Sequence, residues 1–432
     1  MKNIQLQDPQ TVKGSIKLEG PQTVKGSIKV SGAKNSILPI MCATLLTKES
    51  VVLDNVPNIN DVFVLRDILS EIGRCSEFEK EIIKFPVFKE GKLDYNIPIY
   101  ANKIRYSVLL LGALLATQKK VRLPLPGGCG FSERPIDIHL DGLSKLGAKI
   151  EINEEYIYAE TEGLVGNDIT LRFPSVGATE NLIIASTLAK GTTYLRNVAR
   201  EPEIEDLINF LNKLGANILF ESSDTIKIEG VEVLNNQNVY HAIIPDRIET
   251  ATYVILGAIA SENELTIENI NIEHNLAFFN LLQEIGVKFK FVNETNVTVY
   301  KHSQLKPINV QTGVYPKLAT DIQPMLAVLL SLASGESEII DTIYPTRYQY
   351  SKYLNMMNGN FKVLDGKLLI GGPTNYKGNN VYSTDLRGGA AVLLASIIAK
   401  GESTIENSYQ IGRGYSDIIN KLKNIGINLN TN

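Results

Sequence analysis

Cysteine and histidine are both scarce in this chain. The three cysteines, Cys42, Cys75 and Cys129, stand far apart in 432 residues without CxxC spacing. That excludes a disulfide framework and gives no zinc signature. The four histidines, His139, His241, His274 and His302, show no i, i+4 pairing of the kind that holds a metal on a helix face. No metal and no cofactor are expected. No apolar run is long enough to span a membrane, and the N-terminus lacks a signal-peptide core, so the chain reads as cytoplasmic with no membrane partner. Basic clusters are missing too, and the net charge is −4, which argues against nucleic acid as a partner. What is present is 44% apolar and 21% charged residues, a soluble globular composition in a chain too long for one ordinary core.

A repeat organises it. Six times, a Leu/Ile/Met-rich helical pattern ends in glycine, at Gly73, Gly147, Gly215, Gly286, Gly359 and Gly426, at intervals of 67 to 74 residues. Glycine at that place is the ordinary C-cap of a helix. Out of phase with it, a small-residue helix ends in a polar turn and a β-rich segment follows, as in Ala189-Lys190-Gly191-Thr192-Thr193-Tyr194-Leu195 and Ala399-Lys400-Gly401-Glu402-Ser403-Thr404-Ile405. The helices of this second kind, such as Ala390 to Ala395, are apolar nearly all round and are expected to be buried. Amphipathic helices such as Ile208 to Leu214 are expected outside them. The fold class is therefore α/β, built from six units of about seventy residues, and three plus three units make two similar lobes with a cleft between them. A shorter repeat, Pro9 to Lys17 recurring as Pro21 to Lys29, reads as a twelve-residue duplication that adds a hairpin-like segment and is functionally silent.

The segment Pro126 to His139 brackets Cys129 with Gly127, Gly128 and Gly130 and then presents Arg134 before Pro135. Glycine leaves the sulfur unshielded, and the guanidinium offers a fixed fork for a phosphate or carboxylate. The stretch reads either as a mobile loop over an anionic substrate or as a glycine turn with a buried free thiol. Lys34 and Asn35 follow a strand beside Gly32 and suit an anion held by ammonium and backbone N–H groups; alone, Lys34 reads better as a solvated lysine. Ser175-Val176-Gly177 opens a helix. Asp321 stands at another helix start, where simple capping accounts for it as well. Arg105, Arg347, Arg387 and Arg413 complete a set suited to a doubly anionic small molecule, with Cys129 and Asp321 to move protons.

The order of these motifs resembles the enolpyruvyl transferase family, its UDP-sugar branch in particular. The matching stretches are Gly32 to Asn35, Pro126 to Cys129, Arg134 to His139, Ser175 to Asn181, Arg200 to Glu203, Pro245 to Thr250, Thr320 to Gln323, Thr384 to Arg387 and Arg413 to Tyr415. The resemblance covers the whole chain apart from the duplicated residues. It implies two inside-out α/β barrels: a lobe over 32–243, a second over 244–432, and N-terminal strands in 1–31 that belong to the second. It implies transfer of the enolpyruvyl group of phosphoenolpyruvate to the 3-hydroxyl of UDP-N-acetylglucosamine, the first committed step of peptidoglycan precursor synthesis. By resemblance, Cys129 is the acid and Asp321 the base. Lys34, Asn35, Arg134, Arg347, Arg387 and Arg413 would hold the donor, with Lys34 and Arg413 also serving the chemistry. Arg105, Arg134, Pro135, Ile136, Asp137, Ile138, Ser175, Val176, Gly177, Asp321 and Ile343 would line the acceptor site.

The chain departs from the family pattern at Phe173, at Lys317-Leu318-Ala319, at Pro345-Thr346, and at Gln410 and Gly412 on either side of Ile411. These departures leave two rivals to weigh: a transferase with another nucleotide-sugar acceptor, and a non-catalytic paralogue that binds the UDP sugar and regulates.

Overall fold

The structure is a computed structural model that describes residues 14–88, 91–127 and 135–431. Cys129 and Arg134 lie outside these residues. The unit containing Val176 displays the repeat in full. Strand Asp168–Thr170 leads into the buried helix Val176–Thr187, which returns to strand Thr192–Arg196, parallel to the first. The amphipathic helix Pro202–Lys213 and the antiparallel pair Asn217–Phe220 and Thr225–Glu229 complete it. Leu195 pairs with Ile169 on one side and Ile226 on the other, so one alternating set of side chains faces the core. Six sheets of this plan occur among the described residues, five four-stranded and one three-stranded.

The helices expected to be buried are. Every residue of Arg247–Ala260 is buried, and so is nearly all of Val176–Thr187 and Leu386–Ile398. The three inner helices of each half touch one another, and the sheets lie outside them. One apolar cluster runs from Ile37 to Ile243; a second combines Ile16 to Val30 with Ile248 to Leu429.

The chain passes between these two cores at two places. Ser27–Lys29 lies parallel to Glu264–Glu268, and Ile16–Gly20 lies between Gly401–Glu406 and Leu429–Thr431. In return, Val239–Ala242 pairs with Val51–Asp54. The two crossings run side by side, with Gly32 bridged to Pro245. A Cβ on Gly32 would stand 1.8 Å from the Asn55 carbonyl oxygen. Gly32→Ala must move backbone at the crossing, and about 1–3 kcal/mol of stability should be lost, read as a lower urea midpoint.

The duplicated segment is not a hairpin. The copies of Ser-Ile-Lys at Ser15 to Lys17 and Ser27 to Lys29 enter two different sheets; residues 9–13 of the first copy lie outside the described ones. Between the copies, the N–H of Gln22 donates to Ile397 and that of Val24 to Ala260. These bonds tie the connection to the ends of two inner helices, so it crosses the lobe instead of turning back.

The period glycines have a common cause. Gly73, Gly147, Gly215, Gly286 and Gly426 all take positive φ, between 94° and 109°, where a Cβ is strained. In the fifth unit the left-handed residue is Asn358, at φ 73°, one place before Gly359. Asparagine also serves a second recurring position. Asn55, Asn197, Asn269 and Asn407 stand just past the central strands with φ of 54–59°. Each donates from Nδ2 to the main-chain carbonyl that follows the parallel edge strand, at Ile243, Leu171, Val30 and Ser383, over 2.7–2.9 Å. In the fifth unit Asp341 replaces it and accepts from Thr312 Oγ1 at 2.9 Å.

Candidate active site

The N-terminal ends of all six inner helices open on one cavity of about 560 Å³. Lys34, Val176 and Arg247 are first residues of three of them, and Arg387 is the second residue of a fourth. Arg105 begins the 3₁₀ turn that leads into the fifth, and Asp321 stands two residues before the sixth. Unpaired N–H groups and the helix dipole make such ends attract anions. The side chains add to this: eight Lys and Arg line the cavity against five Asp and Glu, in a chain whose net charge is −4. Anionic ligands are what this cavity suits.

At one wall, Lys34 Nζ lies 2.7 Å from Asp61 Oδ2, and Arg413 Nε lies 2.9 Å from Asp61 Oδ1. Asp61 opens the outer helix Asn60–Glu71 of the first lobe, whereas Arg413 belongs to the second, so one buried carboxylate joins the lobes through two cations. Burial opposes ionisation of Asp61, yet Lys34 and Arg413 together hold its carboxyl below the usual value. Burial lowers the Lys34 ammonium from its ordinary value, with Asp61 opposing and Arg413 assisting. Asp61 escaped the sequence reading because an acid in a first helical turn is ordinary capping chemistry.

In the same cavity, Asp321 is flanked by two guanidiniums that are 1% exposed: Arg347 Nη1 at 2.5 Å and Arg387 Nε at 3.7 Å. Arg347 also faces Asp385 at 3.6 Å. Asp385 caps the helix that carries Arg387, accepting from the N–H groups of Arg387 and Gly388. The Arg387 guanidinium lies against the Tyr415 ring, and its Nη1 has no hydrogen-bond partner among the described residues. A buried cation with an unused donor, at the wall of a cavity, is an acceptor-seeking group.

Arg105, Pro135, Asp137, Ile138 and the Ser175 helix start form the other end of the cavity. Arg105 Nη2 donates to the Pro135 carbonyl at 3.2 Å, and Ser175 Oγ caps its helix by accepting from the Ala178 N–H. Asp137 is paired with Arg172. Of the residues expected in the acceptor region, Ile136 is displaced: it precedes the helix Asp137–Lys145 and packs half-buried against the first core, away from the cavity. Its backbone, with φ −108° and ψ 8°, makes the turn into that helix, whose first residues Asp137 and Ile138 line the cavity. Asn35 and Ile343 also line the cavity.

His139 lies beneath this end, 4% exposed, with Nδ1 3.1 Å from Asn181 Nδ2. Burial and then Arg105 push its pKa from 6.5 to about 3. Between those values the unfolded chain binds a proton and the native one does not. Stability therefore rises with pH across that window and is lost on acidification below 6.5. His139→Gln should lose less stability than the wild-type protein when denaturant midpoints at about pH 7 and pH 4.5 are compared.

Among the family departures, Phe173, Lys317, Pro345 and Thr346 line the cavity. Gln410 Oε1 accepts from Arg413 Nη1 at 3.1 Å, while Gly412 is buried at the end of the short helix Tyr409–Gly412. No group of three or more His, Cys, Asp or Glu among the described residues could hold a metal ion. No described helix is long and apolar enough to cross a membrane.

Comparison with known proteins decides the family. The profile described as EPSP synthase (3-phosphoshikimate 1-carboxyvinyltransferase) matches residues 18–422. The chain belongs to the enolpyruvyl transferase family. Enolpyruvyl transfer is accordingly its reaction class. It is 38% identical over 395 residues to UDP-N-acetylglucosamine 1-carboxyvinyltransferase 1 of Caldanaerobacter subterraneus subsp. tengcongensis, across 91% of this chain and 94% of the relative. It is 37% identical over 402 residues to UDP-N-acetylglucosamine 1-carboxyvinyltransferase of Finegoldia magna, across 92% and 94%. The crystal structure of the enolpyruvyl transferase NikO from Streptomyces tendae has the same fold, with a TM-score of 0.88 at 24% identity over 96% of this chain and 98% of that one. The two-lobed α/β architecture expected from the sixfold period is that of this enolpyruvyl transferase.

Proposed function

We propose that the chain transfers the enolpyruvyl group of phosphoenolpyruvate to the 3-hydroxyl of UDP-N-acetylglucosamine, releasing phosphate, in cytoplasmic synthesis of peptidoglycan precursors. The observation that carries the reading is that four buried or largely buried cations, Lys34, Arg347, Arg387 and Arg413, line one cavity with Asp321 among them. Phosphoenolpyruvate has two anionic groups at fixed separation. Lys34 and Arg413, with Arg134, would take its phosphate, and Arg347 and Arg387 its carboxylate, each by charge-assisted hydrogen bonds. Asn35 would stand beside the phosphate. The UDP sugar would extend along Arg105, Pro135, Asp137, Ile138, Ser175 to Gly177 and Ile343.

The chemistry adds across a double bond and then eliminates. The acceptor hydroxyl forms a C–O bond to the central donor carbon while the terminal carbon gains a proton. In the second half that carbon loses a proton as the bond to phosphate breaks. By resemblance, Cys129 gives the first proton; a free thiol near pKa 8.5 is made more acidic by neighbouring cations such as Arg134. Asp321 would accept the hydroxyl proton, pass it to the phosphate group that departs, and then accept the methyl proton. Its two arginine neighbours hold it in place until the donor carboxylate competes for them. Lobe closure would keep water from the intermediate.

The deciding experiment measures inorganic phosphate released from phosphoenolpyruvate with and without UDP-N-acetylglucosamine, with the product mass determined. Release that depends on the acceptor, with an enolpyruvyl-sized gain on the sugar, establishes the reaction. Intact acceptor binding with no release would replace it by a binding role, and release only with another nucleotide sugar would reassign the acceptor.

A further inference from the structure

The fifth unit breaks a pattern that other units keep, and it does so beside Asp321. At Asn55, Asn197, Asn269 and Asn407 an asparagine directly after the central strand donates from Nδ2 to the residue directly after the parallel edge strand. In the fifth unit Asp341 follows the central strand Gly335–Ile340, and Thr312 follows the edge strand Asn309–Gln311. A carboxylate has no proton to donate. The bond therefore runs the other way, from Thr312 Oγ1 to Asp341 Oδ1 at 2.9 Å. Asparagine does the same structural work elsewhere in the chain, so the joining of two strands does not account for a carboxylate here.

What the carboxylate adds is a bond into the cavity wall. Asp341 is 1% exposed. Its Oδ1 also accepts from the main-chain N–H groups of Ile343 and Tyr344, at 3.0 and 2.9 Å, which orients the side chain. That leaves Oδ2 to Thr320 Oγ1, 2.5 Å away. Because Oδ2 only accepts, the Thr320 hydroxyl donates to it and keeps its lone pairs for other donors. Arg347 uses them: its Nη1 donates to Thr320 Oγ1 at 3.3 Å and to Asp321 Oδ1 at 2.5 Å. The Arg347 main chain is held separately, its carbonyl accepting from Gln323 Nε2 at 2.9 Å. The direction of one hydroxyl thus sets what one edge of the guanidinium meets.

We propose that Asp341 is a positioning residue for the donor carboxylate: through Thr320 it fixes the Arg347 guanidinium beside Asp321 and Arg387. In Asp341→Asn the side-chain oxygen stays on the two main-chain N–H groups, which puts Nδ2 against Thr320 Oγ1. Thr320 then accepts from the amide, and its own proton turns towards the guanidinium that it had served as an acceptor. Size and shape are kept while the polarity of one bond is reversed. The inference rests on the donor reading above, with Arg347 on the carboxylate, and the two fail differently.

The test uses the full chain and reads KM for each substrate, kcat, and inhibition by inorganic phosphate, which lacks a carboxylate. Asp341→Asn should raise KM for phosphoenolpyruvate roughly tenfold, the worth of one hydrogen bond to a charged group. The acceptor KM and the phosphate inhibition constant should stay in place. Thr320→Val should give the same rise, and Thr320→Ser should recover most of it. Combining Asp341→Asn with Thr320→Val should be no worse than either alone, since both cut one route. A merely structural role would lower the urea midpoint and move both KM values together. That result would overturn the proposal, as would additive effects or an unchanged donor KM. A wild-type protein that releases no phosphate would remove the reaction reading; calorimetric binding of phosphoenolpyruvate to the same variants would still decide this inference.

Discussion

Asp321→Asn should retain both substrates and lose turnover by about 10²–10⁴-fold, the usual worth of a positioned acid or base. The amide keeps the shape of the carboxylate and cannot take a proton. Ground-state binding should survive, because Asp321 competes with the donor carboxylate for Arg347 and Arg387, which lie 2.5 and 3.7 Å away. Removing that competitor favours donor binding even as the chemical step fails. Isothermal titration and phosphate release on the same preparation separate the two effects. Phosphate release at the wild-type rate would take the base role from Asp321.

The second large effect concerns Asp61. Replacing it by leucine leaves Lys34 and Arg413 buried without their shared counter-charge, and about 3–5 kcal/mol of stability should go with it. The sign with pH is specific. The Asp61 carboxyl is held below its usual value, so its contribution is complete at neutral pH and is lost as pH falls through the native pKa. The gap between wild-type and Asp61→Leu proteins should therefore be wide at neutral pH and close on acidification. Inorganic phosphate, able to sit between the same two cations, should stabilise the variant more than the wild type. A gap that is constant with pH would mean that packing, and not charge, was lost.

The fold was legible where a backbone need selects one residue type. Positive φ at the ends of the outer helices selects glycine, so Gly73 to Gly426 marked the six units before any contact was known. The same need met by Asn358 shifted the fifth mark by one residue, and the asparagines at 55, 197, 269 and 407 went unread because a lone Asn in a turn is common. The inner helices were legible because they have no polar face. In the site, residues in dense local motifs, such as Lys34, Ser175, Asp321 and Arg387, could be chosen from the chain itself. Asp61 and Arg172 could not. Their meaning comes from partners 352 and 35 residues away, and nothing in their immediate neighbours records it. The hairpin expectation for the duplicated N-terminus failed for a related reason: identical strands do not pair with each other when each completes a different sheet.

That strand placement has a consequence for how the protein is made. Ile16 pairs with both Ile405 and Thr431, so the strand Ile16–Gly20 waits for partners that are made only after residue 400. The core between Ile37 and Ile243 is complete once its own residues have left the ribosome. The other core keeps two open sheet edges until residues 401–431 have been made, and open edges invite pairing with other chains. Slow translation of residues 401–431 would lengthen that exposure, so the yield of soluble protein should depend on the codons for that stretch more than on those in the middle.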